Sequence, residues 1–216
     1  MISCIDLDNF SLTGHYSRYN EDSLTAQQLL IRCVRKTKET TETLTSISEG
    51  IDGFLKYLRI AYDEGNEELT VHEEYYITTS IRQNLNRYFF LFQEDGKSAI
   101  ELAGNVNKVI NEGLTLVAEL ITKLSVIAGI EDKLKELQTY LDGSYLDVYD
   151  ECSYTVLELA GNTGKYVNDY ITVVNMLITI VDYVNNSELS VDYTDADEML
   201  VTVVADADNN NEILEL

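Results

Sequence analysis

The sequence predicts an all-α protein, a bundle of about four long helices built around an internally duplicated helical segment. Three observations carry that expectation. Proline is absent from all 216 residues, where about 5% is usual, and it costs about 3 kcal/mol inside a helix. Apolar residues recur at spacings of three and four over long stretches, which is the period of an α-helix. The third is the duplication itself: residues 100–124 (IELAGNVNKVINEGLTLVAELITKL) return as 157–181 (LELAGNTGKYVNDYITVVNMLITIV), with 12 of the 25 positions identical at an offset of 57.

The chain reads as three regions: an N-terminal arm at 1–22, a helical bundle at 23–186 and an acidic C-terminal segment at 187–216. The arm mixes a strand-like piece, residues 2–7, with polar residues. Asp22 or Ser23, either a good N-cap, then opens a helix expected over 24–62. Its seam is Leu30, Val34, Thr37, Thr41, Leu44, Ser48, Ile51, Leu55, Leu58 and Tyr62, coiled-coil-like in spacing but weakened by its Thr and Ser positions. Gly50 and Gly53 within it mark a close crossing or a bend.

The turn DEGNEE at 63–68 leads to Thr70 and Glu73, a capping box for a second helix over 70–93. The apolar run at 88–92 reads either as that helix's buried end or as a strand pairing with 98–102. Ser98 and Glu101 form another capping box and favour a third helix, 98–141, with Gly129 as a potential break. After the Asp142-Gly143-Ser144 turn, Ser153 is the expected cap of a fourth helix, 153–185. A single reversal near Gly143 would lay the two copies antiparallel, their stripes Ile110, Leu114, Val117, Ile121, Leu124 and Val167, Ile171, Val174, Ile178, Val181 facing each other. Ala-Gly-Asn stands in both copies, and its Gly implies a close backbone crossing or a helix end. Residues 199–204 are apolar enough to be a strand beside 2–7, a minor two-strand β element made by the termini.

Charge is the strongest functional signal. Against 15 Lys+Arg stand 38 Asp+Glu, a formal net charge of -23, well beyond the magnitude of about 2 to 8 that keeps a small domain soluble. Residues 136–216 hold 17 acidic residues and one basic, Lys165. Such a polyanion is either a set of solvated faces or a surface made for a basic partner.

Chemistry is harder to find. His15 and His72 are the only histidines; His72 lacks the second His of a zincin helix, and neither has a Glu three residues earlier, as a di-iron bundle needs. Residues 206–211 begin like a calcium loop, but Asn211 stands where the sharp turn needs Gly, and the bidentate twelfth-position Glu is missing. Gly161, Gly164 and Lys165 lack a phosphate loop's spacing, and Tyr166 replaces its Ser/Thr. No catalytic set can be nominated, so no cofactor, no metal and no enzymatic activity are expected. Cys4, Cys33 and Cys152 are odd in number and far apart, which favours a reducing, cytoplasmic setting. The first residues lack a signal peptide's basic region, and the apolar stretches are shorter than the ~20 residues a membrane span needs.

The expected function is a non-enzymatic, acidic protein–protein interaction module, in its most concrete form a nucleic-acid-mimicking inhibitor of a nucleic-acid-processing complex. Its partner would be a protein with a basic surface, and it would bind no nucleic acid itself, since it offers nothing to release counterions from phosphates. The candidate partner-binding residues flank the second copy: Asp142, Asp147, Asp150 and Glu151 before it, Asp192, Asp195, Asp197 and Glu198 after it. The alternative is a structural or secreted helical-hairpin protein whose seams serve assembly and whose charge serves solubility.

Overall fold

A computed structural model describes residues 12–64, 76–79, 96–144 and 155–191, with side chains from residue 25 onward. The protein is an all-α bundle, and among the described residues it has four helices, α1 (Leu12–Asp63), α2 (Ala99–Leu124), α3 (Glu131–Ser144) and α4 (Val156–Asn185). Among the described residues the sole β feature is an isolated antiparallel bridge between Ile127 and Val191. The proposed pairing of 2–7 with 199–204 lies outside the described residues, as does the run at 88–92.

Helix α1 begins at Leu12, well ahead of the caps expected at Asp22 or Ser23, so the later part of the expected arm is helical. A cap contributes a bond or two, whereas continuing a helix adds a bond for every residue. Nothing in 12–23 prevents that, because the stretch contains no proline. The seam is buried at Leu30, Val34, Thr37, Thr41, Leu44, Ile51, Leu55 and Leu58. Its ends deviate, since Ser48 is half-buried and Tyr62 is exposed.

The expected helix over 70–93 is not formed at 76–79, which has no helical structure. Ile77, Thr78 and Thr79 are all β-branched, a slight helix penalty that α4 overcomes at 171–174, so propensity alone does not decide the outcome. Tertiary bonds then take the backbone instead: the Asn185 side chain accepts from the Ile77 N–H at 2.7 Å and donates to the Ile77 carbonyl at 3.0 Å.

The expected helix over 98–141 breaks in the middle. Gly129 has φ +92, in the left-handed region that glycine enters without strain. Its N–H donates to both carboxylate oxygens of Glu131 at 3.0 and 3.1 Å, while the Ala128 N–H donates to the Ser190 carbonyl at 2.9 Å. Helix α3 restarts at Glu131 and folds back on α2, for Ile121 and Ser125 line one hollow with Leu134 and Gln138.

That break corrects the expected antiparallel pairing of the copies. The chain divides into two compact units, the first made of 1–41, 84–112 and 144–171, the second of 42–83, 113–143 and 172–216. Like halves keep company: 100–112 with 157–171, and 113–124 with 172–181. The copies therefore run parallel, with α3 running back along α2 between them in sequence.

In the first unit α1 and α4 also run the same way. Cys33 lies against Gly164, and further along both helices the Thr41 and Tyr170 hydroxyls are 3.3 Å apart. Tyr166 donates from its hydroxyl to Asn111. Here the copies differ in size as well as sequence: Tyr170, fully buried, corresponds to Gly113, and Gly164 to Asn107. In the second unit Lys123 of α2 pairs with Asp52 of α1 at 2.8 Å, and Lys133 of α3 sits over the Tyr183 ring at 4.4 Å.

The glycines shared by the copies do not mark close crossings. A Cβ added at Gly104 or Gly161 would meet nothing within 4 Å, and both lie inside helices, so neither expected reason for them holds. Gly50 is different, because a Cβ there would collide with the Thr78 carbonyl oxygen. The expected close approach at Gly50 is real, but to an extended segment; at Gly53 nothing comes near.

Candidate partner-binding surface

Of the eight carboxylates nominated from sequence, the described residues include Asp142. It is exposed on the last turn of α3 and accepts a hydrogen bond from the Gln138 side-chain amide at 2.7 Å. Asp147, Asp150, Glu151, Asp192, Asp195, Asp197 and Glu198 lie outside the described residues.

Helix α3 adds carboxylates that the sequence reading passed over. Glu131, Asp132 and Glu136 are all exposed, with Asp132 and Glu136 four residues apart and so neighbours on one face. The signal was their helical spacing ahead of Asp142, hidden by the expectation that 131–141 merely continued a longer helix. Glu131 also caps α3, and the Gly129 N–H bond holds its carboxyl below the usual range. A carboxylate that accepts such bonds at a helix start is stabilised in its charged form.

The acidic excess belongs to one unit. Among described side chains the second unit has 12 acidic and 5 basic residues, and three of those bases are engaged: Lys123 with Asp52, Arg59 with Asp63 and Lys133 with Tyr183. The first unit has 5 acidic and 7 basic, including Arg32, Arg35, Lys36 and Lys38 on the outer face of α1.

Comparison of the chain with family models, characterised proteins and solved structures finds no match. Function must therefore be read from the chemistry of the surface.

Among the described residues no three His, Cys, Asp or Glu side chains gather as a metal site would require. Two hollows stand out in the second unit. One, of about 140 Å³, is lined by Thr43, Ser46, Ile47, Thr79 and Ile178, and the other, of about 350 Å³, by residues of α2 and α3. Neither contains a histidine or cysteine. Cys33 is buried, and burial pushes its thiol pKa up, away from the thiolate that reaction needs. Among the described helices α4 is long and apolar enough to cross a bilayer, but 44% of its most apolar window is buried within the protein. Leu177, Val173 and Val174 are spent on the core.

Proposed function

We propose that this protein is a non-enzymatic interaction module that offers carboxylates to a basic surface on a partner protein, as an inhibitor that stands in for nucleic acid in a nucleic-acid-processing complex of the cytoplasm. The observation that carries the reading is the one-sided charge: among described side chains the second unit, with its exposed acids on α3, is strongly acidic, while the first unit is slightly basic. A charge needed only for solubility has no reason to be one-sided.

Duplex DNA presents one charge per ~1.7 Å of axis, and a groove that binds it gains affinity from each phosphate neutralised. Carboxylates at i and i+4 on a helix stand ~5 to 6 Å apart, close enough to occupy several such phosphate positions. Asp132, Glu136 and Asp142 supply the helical part of the track; Asp147, Asp150, Glu151, Asp192, Asp195, Asp197 and Glu198 extend it in sequence.

The test is competition. A partner captured from the native cell at low salt should release at high salt, and its nucleic acid should displace this protein. Reversing Asp132, Glu136 and Asp142 to Lys should abolish capture without unfolding the bundle, because exposed charges contribute little to stability. Equal binding of nucleic acid by the partner with this protein at saturation would end the mimicry reading.

A further inference from the structure

In the second unit a short segment of the chain lies in a groove between two helices. Residues 76–79 lie between α1 and α4 without regular structure, and of their side chains Ile77 is buried while Tyr76, Thr78 and Thr79 are exposed. The groove reads the backbone. Asn185 takes both the N–H and the carbonyl of Ile77, the paired exchange that a neighbouring β-strand would make. Ser46 donates to the Thr79 carbonyl at 2.9 Å, and Gly50 leaves room for the Thr78 carbonyl where any Cβ would collide. Beside Thr79 the groove opens into the hollow of about 140 Å³ lined by Ile47, Ile178 and Val181.

These features define a ligand: an extended peptide with one buried aliphatic side chain, its backbone bonded at that residue and two residues later. We propose that the α1–α4 groove is a binding site for such a peptide, and that its occupant in trans is the 76–79 segment of a second copy of this chain. The seated segment is the argument for that occupant, since a second copy brings the same sequence to the same groove and every contact is regained. Exchange of an identical element is a low-cost route to a dimer. The link is long enough, because α1 ends at Asp63 and α2 starts at Ala99, and the residues between span on the order of 100 Å when extended. This inference does not depend on the acidic-surface reading.

Two complementary variants test it. Ile77→Asp spoils the segment and leaves the groove; Gly50→Ala spoils the groove and leaves the segment. Each alone should sediment as a monomer, while an equimolar mixture should form a 1:1 heterodimer. A mixture that stays monomeric overturns the exchange. Should Ile77→Asp fail to fold, Ile77→Ala takes its place. A labelled synthetic peptide of residues 72–82 provides an independent reading: it should bind the Ile77 variant saturably and bind Gly50→Ala at least about tenfold more weakly, about 1.4 kcal/mol. No binding to the Ile77 variant, or equal binding to both, overturns the assignment of the groove.

Discussion

Two buried threonines on one seam make opposite demands. Thr41 bonds to the Thr37 carbonyl at 2.8 Å and meets the Tyr170 hydroxyl, whereas the Thr37 hydroxyl is buried without a partner. A buried hydroxyl left unbonded costs about 1 to 3 kcal/mol, while a typical bond is worth about 1. Thr37→Val, nearly the same shape, should therefore hold or raise the thermal midpoint, and Thr41→Val should lower it by the equivalent of about 1 kcal/mol. The capping carboxylates give a second residue-scale expectation. The Ser98 and Thr155 backbone N–H groups donate to Glu101 and Glu158 at 2.8 Å, and these bonds hold both carboxyls below their usual value of 4.5. A folded value below the unfolded one gives stability that is full above about 4.5 and is lost as pH falls through the folded value. Protection of the Ser98 and Thr155 amides against exchange, taken relative to the intrinsic rate at each pH, should fall in that window, and Glu101→Gln and Glu158→Gln should flatten the response.

At the scale of the element the duplicated helix was the most legible part of the sequence. Val117 and Val174 are both buried, as their shared stripe requires, and truncating either to Ala should cost roughly 1 to 3 kcal/mol in chemical unfolding. Ile121 and Ile178 are both half-buried, so the copies agree in this respect as well. The duplication runs further than the sequence reading took it: Thr155 and Glu158 repeat Ser98 and Glu101 at the same offset of 57. At that offset Thr155, not Ser153, is the counterpart of Ser98, and Thr155 caps α4 as Ser98 caps α2. Direction was not legible, because a stripe shows which face is buried and not which way its partner runs. The extended 76–79 segment was not legible either, since the Asn185 side chain that holds it lies 108 residues away. For the shared glycines the open space beside Gly104 and Gly161 has a direct consequence. Gly104→Ala and Gly161→Ala should each stabilise by about 0.5 to 1 kcal/mol, as Ala loses less backbone entropy in a helix.

On the scale of the whole molecule the net charge of -23 should make stability depend on salt. Like charges repel across the second unit, and the Debye length shrinks from ~30 Å at ~0.01 M to ~8 Å at ~0.15 M. The thermal midpoint should rise over that range, the reverse of what a protein held by surface ion pairs would do. Of the candidate surface, the sequence showed the sign and the region of the charge. That Glu131, Asp132, Glu136 and Asp142 belong to a separate helix followed from the turn at 125–130 between α2 and α3.

The parallel course of the duplicated helices also sets a timetable for synthesis. Antiparallel hairpins let each helix meet its partner as soon as it is made, but here Thr41 waits 129 residues for Tyr170, and Asp52 waits 71 for Lys123. At a translation rate of about 5 to 20 residues per second, the first of those delays is roughly ten seconds. Through that interval the part of the α1 seam that α4 covers lacks its final partner and is exposed to chaperones and proteases. Nascent chains halted before α4 should accordingly be cleaved within α1 by a protease that spares the same helix in the finished protein.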